Sequence, residues 1–164
     1  MKKIERSNGI IFGSTGVLGS KISLELAKMD SNLILHGKSL KKLKQLDDQI
    51  KKLNKKVTLL PADVTDKEFS KNLLKQVSSR FCKIDFVINL IGVFMGLRPL
   101  TNFSHKEWDN LLEINLSSSW RIIRELEPLI RKSDNGKVIF LSNKNISSGQ
   151  AYYNTVSIFQ NAQE

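Results

Sequence analysis

Apolar residues gather in short runs along the chain: Ile10-Ile11-Phe12, Leu33-Ile34-Leu35, Val57-Thr58-Leu59-Leu60, Phe86-Val87-Ile88-Asn89-Leu90-Ile91 and Val138-Ile139-Phe140-Leu141. Each is short and largely without polar alternation, the pattern of a strand covered on both faces. Between the runs the period changes to that of a helix, as at Leu43, Leu46 and Ile50. The pattern predicts helices over about 17–29, over the lysine-rich stretch capped by Ser39, from 65 to about 81, and over about 104–131. The last two open with Thr65-Asp66-Lys67-Glu68 and Ser104-His105-Lys106-Glu107, both with the spacing of a capping box. Strand and helix alternate throughout, which predicts an α/β fold with a doubly wound parallel sheet. Right-handed crossovers then give the strand order 3-2-1-4-5. With 164 residues, 40% of them hydrophobic, the chain can bury one core, and residues 1–164 read as a single domain.

Charge and cysteine content narrow the class. The net charge is +10, but the 26 basic residues are spread over several helical segments rather than gathered beside aromatics, so nucleic acid is not an expected partner. The eight lysines between 38 and 56 fall on an amphipathic helix, where they read as a solvated face. Met1-Lys2-Lys3 resembles the start of a signal peptide, yet the apolar run behind it is short and broken by glycine. No stretch is long and apolar enough for a bilayer, so no membrane partner is expected. Cys82 stands alone, which excludes an intrachain disulfide and points to the cytoplasm. No metal site is expected: His36 and His105 have no ligand-spaced partners.

The candidate chemistry lies at strand ends. Ile10-Ile11-Phe12 empties into Gly13-Ser14-Thr15-Gly16-Val17-Leu18-Gly19 and then into a helical pattern. Glycine without a Cβ lets backbone approach a phosphate, and the unpaired N–H groups of a helix start point at the anion. A dinucleotide is the expected guest, although a tight turn that merely packs well has the same glycines. Ligands of such sheets collect at the carboxyl ends of the strands, where Gly13, Lys38, Asp63 and Asn89 all fall.

From Gly9 onward these residues resemble the short-chain dehydrogenases/reductases, a family with a Rossmann-like NAD(P)-binding fold. The resemblance implies that Gly13, Gly16 and Gly19 hold the pyrophosphate, that Ser14, Thr15 and Leu18 between them also bind the cofactor, and that Asp63-Val64 contacts adenine. It implies further that Asn89-Leu90-Ile91-Gly92 stands for the family's Asn-Asn-Ala-Gly, placing Asn89 and Gly92 beside the cofactor, with Ile91 in place of a smaller alanine. Trp108-Asp109-Asn110-Leu111-Leu112-Glu113-Ile114-Asn115-Leu116 is similar to Trp-Asp-x-x-x-x-Val-Asn-Leu, whose asparagine, here Asn115, holds a water of the proton relay. Strand two ends in His36-Gly37-Lys38-Ser39 with no acid for a ribose 2′-hydroxyl, and Lys38 offers a cation to a 2′-phosphate. NADP is therefore expected over NAD.

The family's serine, tyrosine and lysine are replaced. Asn143 takes the carbonyl-polarising place, Val156 the tyrosine's and Gln160 the lysine's, and Tyr153 is the nearby substitute acid. The family also continues through further elements that enclose a substrate, so a C-terminally truncated fold is expected here, with self-association through uncovered apolar positions such as Trp120, Ile123 and Leu126. Two readings stand. One is an oxidoreductase by lineage, working between a carbonyl and an alcohol on an unidentified small molecule, with impaired catalysis. The other is a catalytically silent nucleotide-binding or interaction module on the same fold.

Overall fold

The computed structural model describes residues 7–141 and, beyond them, residues 152, 153, 155, 157, 158 and 162. Five parallel strands form one sheet in the order β3-β2-β1-β4-β5, as the alternation predicts. They are β1 (Asn8–Phe12), β2 (Asn32–Gly37), β3 (Val57–Pro61), β4 (Phe86–Asn89) and β5 (Lys137–Phe140). Helices α1 (Val17–Lys28), α2 (Leu40–Lys51), α3 (Lys67–Ser78), α4 (His105–Leu112) and α5 (Ser118–Ile130) fill the connections.

Alternation along each strand divides the core into two. Ile11, Leu33, Leu35 and Ile88 face Ala27 of α1 and Leu43, Leu46 and Ile50 of α2. Ile10, Phe12, Ile34 and Val87 face Phe69, Leu73 and Val77 of α3 and Ile122, Leu126 and Leu129 of α5. Helices therefore cover both faces, which is why the inner strands carry no polar alternation. Leu126 is fully buried and does not belong to an uncovered surface, whereas Trp120 is 57% exposed, with the Arg124 guanidinium over its ring.

Helix boundaries follow local hydrogen bonding. Ser39 caps α2 by accepting from the Lys42 N–H. Ser104 and Glu107 form the expected capping box on α4, each side chain accepting from the other's backbone N–H. At α3 the cap is Asp66, whose side chain accepts from the Glu68 N–H, and not Thr65. Thr65 is occupied one step earlier: its N–H and hydroxyl both donate to Asp63 Oδ1, at 3.1 and 2.9 Å, so the chain turns before the helix begins. The helix predicted over 104–131 is α4 and α5 joined by a π-helical turn, Glu113–Ser117.

Candidate functional site

The carboxyl ends of β1, β2 and β3 lie side by side, and their loops form one ledge. Gly13 leaves β1 with φ +75°, a conformation that strains any residue with a Cβ, and a side chain there would also press on Leu90. Gly19 sits in the first turn of α1, directly over that bend. A Cβ on it would collide with the Gly13 carbonyl oxygen, so the glycine is what lets the helix start against the strand end.

Gly16, the N-cap of α1, has ordinary dihedrals, and a Cβ on it would meet only the Gly13 carbonyl oxygen, at 3.4 Å. No side chain caps α1 and no acid lies in its first turn, in contrast to the capped starts of α2, α3 and α4. A helix start left open on an exposed surface is suited to an anion, and a cofactor pyrophosphate fits this cradle.

The neighbouring side chains divide into holders and contacts. Ser14 is fully buried: its N–H and its hydroxyl both donate to the His36 carbonyl, at 3.0 and 2.9 Å, tying the glycine turn to the end of β2. Thr15 lies over Gly37, where an added Cβ would come to 3.0 Å of its side chain. Leu18 is 43% exposed at the mouth of the turn. Val64 is buried in the core with Phe69, so its side chain is turned away from the ledge.

Lys38, just beyond β2, and Asp63, just beyond β3, meet across the ledge: Lys38 Nζ lies 2.6 Å from Asp63 Oδ2. The hydrogen bond from Lys38 holds the Asp63 carboxyl below the usual carboxylate range. Beneath them His36 is 3% exposed, its ring tilted 5.0 Å from Phe12 and stacked 5.4 Å from Phe69. Neither ring nitrogen has a partner at hydrogen-bonding geometry. Burial lowers its pKa from 6.5 to about 4, outweighing the Ala62 backbone and the Asp63 charge, which both favour the proton.

At the end of β4 the predicted residues form a second group. Asn89 is buried, donates to Ser119 Oγ at 2.9 Å and accepts from the Ile91 N–H at 3.1 Å, so its side chain shapes the loop. Ile91 packs partly against the core. Gly92 is exposed and lies beside Asn115, whose Oδ1 would be 3.3 Å from an added Cβ.

Asn115 sits in the π-helical turn, with its amide clamping Val93: Oδ1 accepts the Val93 N–H at 2.8 Å and Nδ2 donates to the Val93 carbonyl at 3.1 Å. A π turn disturbs the regular backbone ladder and is frequent at functional sites. Ser119, which donates to the Asn115 carbonyl at 3.4 Å and accepts from Asn89, is the residue that sequence reading missed. Its only signal was the helical spacing of Asn115 and Ser119.

Of the predicted catalytic positions, Asn143 lies outside the described residues, as do Val156 and Gln160. Tyr153 is partly buried, and its carbonyl accepts from the Ser157 N–H at 2.9 Å. Among the described residues no group of His, Cys, Asp and Glu is placed to hold a metal ion. Among those residues, too, no helix is long and apolar enough to cross a membrane.

Residues 8–157 match the family described as short chain dehydrogenase. An uncharacterised oxidoreductase of Staphylococcus epidermidis is 25% identical over 142 residues, covering 87% of this chain and 60% of the relative. D-beta-hydroxybutyrate dehydrogenase of Rhizobium meliloti is 30% identical over 132 residues, covering 79% of this chain and 51% of that protein. The chain thus spans about half to three-fifths of these relatives' length. Among solved structures, one from Escherichia coli CFT073 described as a short chain dehydrogenase complexed with NADPH superposes with a TM-score of 0.91 at 19% identity, covering 99% of this chain and 70% of that one. A Shigella flexneri structure complexed with NADP gives 0.90 at 20% identity, over 99% and 70% of the two chains.

Proposed function

The chain belongs to the short chain dehydrogenase family, and on that premise we propose that residues 13–19 with Lys38 bind NADP(H) in preference to NAD(H), in a protein of oxidoreductase lineage that works between a carbonyl and an alcohol. The observation that carries this reading is the start of α1 at Gly16, which no side chain caps, with a cation and no carboxylate on the end of β2. The two solved neighbours described with NADP and NADPH support the choice.

Gly13 and Gly19 set the backbone of the pyrophosphate cradle, Ser14 pins that turn to β2, and Lys38 meets a 2′-phosphate. The bound nicotinamide would supply or accept hydride. Asn115 holds the loop after β4 by its clamp on Val93, and its place in the family-like Trp108-to-Leu116 stretch supports a part in holding a proton-relay water.

Turnover by this chain is expected to be weak. A positioned general acid contributes about 10²- to 10⁴-fold to such a reaction. Val156 has no proton to give, and neutral Gln160 cannot lower a tyrosine pKa as an ammonium does. Those two residues favour the second reading, a nucleotide-binding module without catalysis. Asn143 can polarise a carbonyl, and Tyr153 is the remaining candidate acid. The exposed Trp120 supports self-association, and cytoplasmic residence accords with a lone cysteine.

The deciding experiment titrates the purified protein with NADPH and NADH, measures its native mass, and assays small ketones and aldehydes. Tighter binding of NADPH with little turnover is expected, and tighter NADH binding would reverse the cofactor assignment. Robust turnover abolished by Tyr153→Phe would overturn the expected impairment and make Tyr153 the acid.

A further inference from the structure

Resting on the nucleotide-binding reading above, we propose that the Lys38–Asp63 ion pair sets cofactor choice, with Asp63 holding back the 2′-phosphate preference that Lys38 alone would confer. Lys38 is the cation on the end of β2, and β3 is the neighbouring strand in the sheet, paired with β2 through Gly37 and Pro61. The sequence offers no acid on β2's own end, yet the fold brings one in from β3, 2.6 Å from the ammonium.

Asp63 is held firmly on that side. Its Oδ1 takes both the N–H and the hydroxyl of Thr65, which fixes the carboxylate and aims Oδ2 at Lys38. The Asp63 side chain is one-third exposed, whereas Lys38 is 80% exposed and free to swing on its long stem. The anchored partner is the anion and the mobile partner is the cation. Asp63 remains ionised at neutral pH, because its carboxyl lies below the usual carboxylate range.

A ribose bearing a 2′-hydroxyl leaves this pair neutral and intact. A 2′-phosphate instead draws Lys38 toward itself, so that one ammonium is shared between two anions and the fixed carboxylate repels the phosphate. In a largely hydrated setting one unit charge a few Å away changes binding by roughly three- to tenfold. The charge of Asp63 therefore subtracts that factor from the NADP(H)-over-NAD(H) ratio, since only NADP(H) carries the 2′-phosphate.

The test measures dissociation constants of NADPH and NADH at fixed ionic strength for the wild type, Asp63→Asn and Lys38→Met. Asn at position 63 keeps an acceptor for Thr65 while removing the charge. The expected result is a rise in the NADPH-over-NADH affinity ratio of roughly three- to tenfold in Asp63→Asn and a fall in Lys38→Met. A purely structural part for Asp63 in its turn would weaken both nucleotides alike and leave the ratio unmoved. An unmoved or lowered ratio in Asp63→Asn, with both nucleotides still bound, overturns this inference alone. Failure of the wild type to bind either nucleotide overturns the nucleotide-binding reading and this inference with it.

Discussion

His36 carries a titratable ring wedged between Phe12 and Phe69, without a hydrogen-bond partner for either nitrogen. A buried imidazole in that position is tolerated only as the neutral form, which is why its pKa falls to about 4. The unfolded chain takes up the same proton near the ordinary value of 6.5. Between those values the unfolded state binds more protons, so the contribution of neutral His36 is complete above about pH 6.5 and is lost as pH falls toward about 4. The loss amounts to about 3 kcal/mol. His36→Phe, which keeps a flat ring between the two phenylalanines, should flatten the stability profile across that window. Denaturant melts at several pH values check this, and an unchanged slope in the variant would refute the assignment. Nothing in the sequence marks His36 as buried and unpaired: it ends a strand beside Gly37, and only packing by Phe69, from a different element, decides its environment.

At the scale of elements, the pattern of apolar runs placed every strand and the order of the sheet. In β1, β2 and β4 burial on two faces leaves little freedom in which residues can be used, so composition and position carry the same information. Caps were legible where a single side chain does the work. Ser104 meets the Glu107 N–H while Glu107 answers the Ser104 N–H, and Arg98 also binds Glu107, so that its carboxyl is pushed down to about 2. Ser104→Ala should cost about 1 kcal/mol of stability, measured by denaturant unfolding at neutral pH. No measurable loss would show that the α4 start is held by tertiary contacts instead. The α3 start was misread because Thr65 and Asp66 both have capping side chains, and the Asx-type turn made by Asp63 decides between them. The π turn was invisible for a different reason: Asn115 is clamped by Val93 across the loop after β4, a long-range contact that helical periodicity does not encode.

Across the whole molecule, the glycine turn and Lys38 stand at the ends of β1 and β2, while Asn115, implied in proton transfer, clamps the loop after β4. The bend after β1 was legible because it is written in backbone-determining residues, Gly13 and Gly19. The bond between Asn89 and Ser119 was not, since it forms only once β4 meets α5. The sheet order has one more consequence. β1 is hydrogen-bonded to β2 on one side and β4 on the other, and Ile10, Ile11 and Phe12 are fully buried. β5, paired only with β4 among the described strands, leaves Val138 and Ile139 37% and 47% exposed. Amide protons of β1 should therefore exchange with deuterium only in global opening events, and those of β5 through smaller ones. Equal protection of the two strands would count against it. The bend proposed to receive the phosphates grows directly out of the last strand to come apart, so the protein should lose β5 well before it loses any grip on a nucleotide.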